Sequence, residues 1–472
     1  MDETVGGFDA TWFASAAGGK LVNGRDVVLS RIETDSRNAG PGALFVALKG
    51  ERVDGHDFAQ AAASLGASAL LVSAAWWAGP GSRAGLSCPL VVVPDPLSAL
   101  QQAAKAWRKR FPSLLRFGVT GSSGKTSVKE LLAAIIAVKR RTVRNPGNLN
   151  SDIGLPASLL LIRPEHEAAV FEMGINRPGE MELLADLYEP DCAVVTNIGT
   201  AHIGVLGGTR QNIAEEKRKI TARFTGTQRL VVPEDDDFRD FLLTGIKGAG
   251  FLHGLRSIDG FSGARDLGLE GWLINYGGLE VKLALPGAHN LRNALAAIRT
   301  ASLYGAKAED VRRGIESILP LSGRTEIIKG DYTIVNDCYN ANIESSMAAL
   351  SFCDELSVQG RKVYVFGSMK ELGAETIKAH ERLGRVAARS SATLVFFYGQ
   401  ETRYSYDAAM KAGANAAMFH FDDFEPLSLA VREAIKPGDL ILLKASHSMA
   451  LERLAEQLSG PRSMNARGQH VS

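Results

Sequence analysis

Short apolar runs alternate with longer helical stretches along this chain. Residues 44–48, 69–72 and 90–93 are near-unbroken runs of Leu, Val, Ala and Phe, and helical spacing covers 58–65. Unbroken apolar runs of this length suit strands buried on both faces. Pro94-Asp95-Pro96 then punctuates the pattern: Asp95 suits a helix N-cap and Pro96 the first turn. A second unit opens with a strand over 115–119, a glycine-rich turn and a helix over 125–139. Strands at 168–172 and 193–197 and a helix over 291–304 follow. At 279–285 apolar and polar residues alternate, as in a half-exposed antiparallel strand. Residues 226–280 yield no firm order of elements. After Leu319-Pro320-Leu321-Ser322-Gly323, strands at 333–335, 362–366, 393–397 and 440–443 alternate with helices, a doubly wound parallel pattern. The expectation is an α/β protein of three domains, 1–94, 95–320 and 321–472: a small α/β domain, a central phosphate-loop domain with a parallel sheet, and a Rossmann-like domain. The polar tail 459–472 is expected to fray.

Composition narrows the function. With 53 Lys+Arg against 52 Asp+Glu, the formal charge is +1, so no global field favours nucleic acid, and any basic site is local. The longest apolar stretches, 131–138 and 67–79, fall short of the roughly 20 residues of a spanning helix. The first residues lack a basic region leading into an apolar one. Four scattered cysteines make neither a disulfide scaffold nor a CxxC zinc site. A cytoplasmic, monomeric chain is expected, with small-molecule partners and neither nucleic acid nor membrane.

The strongest local signal is Thr120-Gly121-Ser122-Ser123-Gly124-Lys125-Thr126-Ser127 between a strand and a helix. Glycines let backbone amides converge on an anion, the helix N-terminus adds positive potential, Lys125 reaches terminal phosphates and Thr126 offers a hydroxyl to Mg²⁺. The spacing is TGxxGKT, with five residues between Gly118 and Gly124. A loop of this kind names no reaction; kinase, GTPase, motor and ligase all fit it. Glu172 and His202 each follow a strand of the same unit, where a metal ligand or a plain structural hydrogen bond fits. By composition Lys217, in Glu215-Glu216-Lys217-Arg218-Lys219, reads as part of a solvated helix face. Asn290 could read a base edge or cap a helix. Residues 336–342 form a polar strand-end loop, the kind that binds ligands in doubly wound folds.

Seven segments then combine: Thr34-Asp35-Ser36-Arg37, residues 44–50, Asp54-Gly55-His56, Gly147-Asn148-Leu149-Asn150, residues 172–176, Gly323-Arg324-Thr325-Glu326 and Asp337-Cys338-Tyr339-Asn340-Ala341-Asn342. Over nearly the whole chain they resemble the Mur ligase family, ATP-dependent amide ligases of peptidoglycan precursor synthesis. The last segment resembles the DxYNANP form of the branch that joins D-alanyl-D-alanine to a UDP-muramoyl tripeptide through an acyl phosphate. The resemblance implies ATP and two Mg²⁺ ions. It places Ser36, Arg37, Asp54, Gly55 and His56 on the UDP-sugar, and Asn148 and Asn150 at its muramoyl end. Residues 120–127 would hold ATP phosphates, His289 and Asn290 adenine, and Arg324 and Asp337 would reach ATP from the third domain. Thr126, Glu172 and His202 would ligate metal, and Lys217 would do so as a carbamate, which reverses the solvated reading. Asn340 and Asn342 would meet the incoming amine. Departures from the pattern concentrate in the third domain, where Ile343, Ser368, Ala445 and His447 stand for Pro, Asp, Gly and Arg; Ser151 replaces an Asn. Another amine, a folylpolyglutamate-like ligase and a non-catalytic nucleotide binder are the competing readings.

Overall fold

In the computed structural model, residues 7–24, 26–50, 52–79, 86 and 88–459 are described. All of the expected frayed tail except Ser459 lies outside them. Three α/β units follow one another along the chain. In the first, Ala43–Val46, Ala69–Ser73 and Leu90–Val93 form the parallel heart of a five-stranded sheet with Lys20–Val22 and Arg31–Glu33 at its edges. Every residue of Ala43–Val46 is buried, which is why that strand reads as a continuous apolar run. The expected helix over 58–65 divides into a 3₁₀ turn, Gly55–Phe58, and a short helix, Ala59–Ser64, because Asp54 caps the turn through the His56 amide.

Helix Pro96–Arg108 starts as its sequence dictates, with Asp95 accepting from the amides of Leu97 and Ser98. Its apolar face joins the first unit to the second: Trp107 packs on Phe8 and Trp12 and donates through Nε1 to Ile162 O at 2.9 Å. The second unit is a six-stranded parallel sheet in the order Ala249–His253, Arg229–Pro233, Cys192–Val195, Leu115–Thr120, Ala168–Glu172, Thr142–Arg144. Strands are added on both sides of Leu115–Thr120, so a crevice opens at its C-terminal end. Residues 226–280, illegible in the sequence, supply two of these strands. They also supply most of a three-stranded antiparallel sheet, Phe261–Asp266, Trp272–Tyr276 and Leu279–Leu283. Phe261–Asp266 has no fully buried residue, so it carries no apolar run to be recognised.

The third unit is again six-stranded. Thr333–Asp337, Leu440–Lys444, Lys362–Gly367, Leu394–Tyr398 and Ala417–Phe421 run parallel, and Glu326–Lys329 pairs antiparallel at one edge. The two edge strands went unrecognised in the sequence because they are short and largely half-exposed.

Candidate functional site

The phosphate loop turns out of Leu115–Thr120 into helix Lys125–Ala137. Two of its glycines are required by close approach. Gly121 has φ +151°, and a Cβ there would lie 1.8 Å from Thr196 Oγ1; Gly124 has φ +77°, and its Cβ would lie 2.4 Å from Asn293 Oδ1. Asn197, unassigned in the sequence, braces the loop: its Oδ1 accepts from the amides of Ser122 and Ser123 at 3.1 and 3.0 Å, and its Nδ2 donates to Ser123 Oγ. Those two amides are thereby spent on the loop itself. The first-turn amides of the helix, around Lys125–Ser127, remain as the anion donors, since a helix start leaves its own N–H groups without intrahelical acceptors. Thr120 is fully buried beneath the loop, and among the described residues its Oγ1 has no hydrogen-bond partner.

Three cations converge here. Lys125 Nζ donates to Gly121 O at 3.0 Å, Lys217 Nζ donates to the same carbonyl at 2.9 Å, and Arg324 donates to Thr126 Oγ1 at 2.8 Å. Thr126 in turn donates to Glu172 Oε2 at 2.6 Å, and Glu172 Oε1 accepts from Asn150 Nδ2 at 2.6 Å. Glu172 is itself set by Asn145, which bonds both its amide and its carbonyl. Lys217 is 1% exposed, so the solvated-face reading is wrong for it: the last turn of Arg210–Arg218 faces inward there. Burial, with the Lys125 charge beside it, drives the Lys217 ammonium well below its usual range; burial also lowers Lys125.

Around this centre lies a cavity of about 660 Å³. Its lining includes loop residues 122–127, Asn148, Asn150, Glu172, His202, His289 and Asn290, together with Arg324, Asp337, Asn340 and Asn342 from the third unit. Lys217 sits behind the loop rather than on the cavity wall. The structure thus brings together residues that are 198 positions apart, as in the Arg324–Thr126 bond. Arg324 is aimed by Tyr339, whose ring centroid lies 3.7 Å from its guanidinium carbon. Asp337 pairs with buried Lys444 at 2.7 Å and accepts from the Thr325 amide. His202 shares the cavity with Glu172, but its Nδ1 lies 2.7 Å from Glu371 Oε2 of the third unit. Among the described residues no three His, Cys, Asp or Glu side chains group as a metal cluster.

Several expected binders have structural duties. Asn342 is the N-cap of Ile343–Glu355, its Oδ1 accepting from the Ser345 amide at 2.8 Å. Asn340 Oδ1 accepts from the Ala341 amide, and its carbonyl accepts from Lys444. Asn290 lies within helix Ala288–Ser302 rather than capping it, with its amide bonded to Pro286 O and Asn293. His289 Nε2 meets Thr325 Oγ1 at 3.1 Å. In the first unit, His56 is 6% exposed; Nδ1 meets Asp54 at 2.6 Å and Nε2 accepts from the Ser73 amide, so both ring nitrogens are taken. Gly55 donates to Leu48 O. Arg37 pairs with Asp35 beside Ser36 and is largely exposed. None of these five first-unit residues lines the cavity.

A parallel sheet with a phosphate loop, faced by a Rossmann-like unit whose arginine touches the loop threonine, defines a nucleotide-dependent enzyme of three α/β units. The Mur ligase middle domain matches residues 119–301, the Mur ligase glutamate ligase domain 323–447 and the Mur ligase family catalytic domain 28–108. The UDP-N-acetylmuramoyl-tripeptide–D-alanyl-D-alanine ligase of Treponema pallidum is 40% identical over 432 residues, 90% of this chain and 92% of that protein. The crystal structure of MurF from Acinetobacter baumannii superposes with TM-score 0.82 at 29% identity, covering 95% of this chain and 98% of that one. MurF ligase from Thermotoga maritima in complex with ADP gives TM-score 0.74 at 27% identity, covering 93% and 98%. The chain belongs to the Mur ligase family.

Proposed function

We propose that this chain joins the amine of D-alanyl-D-alanine to the terminal carboxylate of a UDP-N-acetylmuramoyl tripeptide, using ATP, in peptidoglycan precursor synthesis. The observation that carries the reading is the convergence of Lys125 and Arg324, with Lys217 behind them, on residues 121–126 beside Glu172, at a cavity walled by both the second and third units. Relatives matched over nine-tenths of their length with this activity in their names support it.

A carboxylate is a poor acyl donor, because its leaving group would be oxide. Phosphoryl transfer from ATP makes an acyl phosphate with a good leaving group, but it forces two anions together. Lys125 and Arg324 offset that repulsion, and the first-turn amides of Lys125–Ala137 orient the phosphates. The amine, having given up its ammonium proton, then attacks the acyl carbon; the carbon–oxygen bond to phosphate breaks, and the departing phosphate can take the remaining surplus proton from the new amide nitrogen. The third unit walls one side of the cavity, which would limit water at the acyl phosphate.

The donors fit a hard divalent cation: the Thr126 hydroxyl and Glu172 carboxylate are adjacent oxygens on the cavity wall. Thr126 and Glu172 would hold one Mg²⁺. Glu172 with His202 would hold a second once Glu371 yields, and Lys217 would add an anionic oxygen as a carbamate. When bound, Mg²⁺ supplies positive charge to the phosphoryl oxygens. Lys217 suits carbamylation because only an uncharged amine captures CO₂, and burial favours that form.

Domains 1–94, 95–320 and 321–472 would take the UDP-sugar, ATP and the amine respectively, in a monomeric cytoplasmic enzyme. Among the described residues no helix is long and apolar enough to cross a membrane. Phosphate release from ATP, measured with the nucleotide-sugar tripeptide and D-alanyl-D-alanine supplied singly and together, tests the reading. Turnover is expected only with both; ATP left intact in the full mixture overturns it.

A further inference from the structure

The proposed reaction needs a group that receives a positively charged amine in a cavity otherwise built for anions. Lys125, Arg324 and Lys444 all line that cavity and would repel an ammonium group. Among the described residues seven carboxylates line it too, and six are committed. Glu172 is held by Thr126 and Asn150, and Asp337 by Lys444 and the Thr325 amide. Glu234 takes the Arg256 amide, Asp235 pairs with Arg292, Asp236 takes the amides of Ile198 and Phe238, and Asp237 pairs with Arg210.

Glu344 is the exception. Its Oε2 accepts from the Thr200 hydroxyl at 2.8 Å, and among the described residues it pairs with no cation. It lies in the first turn of Ile343–Glu355, where the helix N-terminus favours negative charge. It also stands against the phosphate loop. A Cβ built on Gly199 would lie 3.1 Å from Glu344 Cδ and 3.3 Å from Ser122 Cβ, and the Gly199 amide donates to Ser122 Oγ at 2.8 Å. One residue of backbone therefore separates this carboxylate from the loop at which the acyl phosphate would form.

We infer that Glu344 is the residue that receives the ammonium group of the incoming amine and holds it beside the acyl phosphate. The inference rests on the ligase reading above. It also reassigns the amine contact from Asn342, whose side chain caps the helix, to the acidic residue two positions on. Thr200 orients the carboxylate, so the amine would be gripped between the second unit and the third. An amine is then admitted by its charge, independently of the groups that read the rest of the dipeptide.

The test compares wild type, Glu344→Gln and Glu344→Asp in two reactions of the full chain with ATP and the nucleotide-sugar tripeptide. One uses D-alanyl-D-alanine; the other uses hydroxylamine near neutrality, where this nucleophile is uncharged and traps an acyl phosphate as a hydroxamate. Losing a charged partner should raise KM for the dipeptide roughly tenfold or more in Glu344→Gln. KM for ATP and for the tripeptide, and the hydroxamate rate, should stay near wild type, and Glu344→Asp should recover part of the loss. An unchanged dipeptide KM in Glu344→Gln overturns the inference while leaving the ligase reading intact. Equal loss in both reactions also overturns it, since that assigns Glu344 to the phosphate loop. A wild-type protein that makes neither product overturns the ligase reading itself.

Discussion

At the scale of single residues, what matters is charge placed where water cannot reach it. Lys125 and Lys217 donate to one carbonyl, that of Gly121; burial and then the Lys125 charge disfavour protonation of Lys217, while burial and Arg324 disfavour it at Lys125. Lys125→Ala should lower turnover by at least about a hundredfold, because phosphoryl transfer depends on such cations, with thermal stability retained. Steady-state phosphate release with a parallel melting curve checks this; normal turnover would remove the loop from the mechanism. Lys217→Ala should be nearly inactive, and added short carboxylates should restore part of the rate by supplying the missing anionic oxygen. Indifference to those acids would argue that Lys217 only braces Gly121. The loop, Glu172 and His202 were legible as single residues because strand-end position and residue type suffice to nominate them. Lys217 was not. Its neighbours are charged, and only the packing of Arg210–Arg218 shows that this position turns inward.

At the scale of elements, caps and glycines set where side chains point. Asp95 and Pro96 fixed a helix start that could be read directly. Asn342 was read as a substrate contact, yet its side chain and Ser345 form a reciprocal cap on Ile343–Glu355. Asn342→Ala should therefore cost about 1 kcal/mol of stability in urea unfolding. It should disturb activity only through the helix that carries Glu344. A variant of unchanged stability with a large, selective rise in dipeptide KM would return Asn342 to direct binding. Alternation announced the antiparallel strand Leu279–Leu283, but its partners Phe261–Asp266 and Trp272–Tyr276 escaped recognition, because pairing rather than a clear buried face defines them.

At the scale of the whole molecule, the second and third units meet across backbone as well as side chains. Gly204 donates to Glu371 O, and a Cβ on Gly204 would lie 2.5 Å from the Gly373 amide nitrogen. Gly204→Val should hold these units apart, giving a larger radius of gyration in solution scattering and weaker turnover. An unchanged radius with full activity would show the contact to be dispensable. Buried imidazoles add a pH dependence. His253 is lowered to about 4 from 6.5 by burial, and His289 and His380 are lowered by the same cause. His380 Nε2 accepts from the Met369 amide, so it works as a neutral ring. Below the ordinary histidine range the unfolded chain binds protons that the folded chain refuses. Stability should thus fall as pH drops from about 6.5 to about 4, with His253 alone contributing up to about 3 kcal/mol. Urea unfolding at about pH 7 and about pH 5 should show a shallower decline in His253→Gln than in wild type; parallel slopes would refute this.

The sequence alone determined the three α/β units, the phosphate loop and the family, and nominated Glu172 and His202, because apolar runs, turn chemistry and short motifs are local properties of a chain. Only the tertiary structure decided which residues share a cavity and which are already spent. It took Asn290, Asn342 and His56 into internal hydrogen bonds, buried Lys217, carried Arg324 to Thr126, and among the described residues left Glu344 without a cation. Hydrogen-bond capacity and charge are exhausted by neighbours in space, and a linear order of residues does not say who those neighbours are.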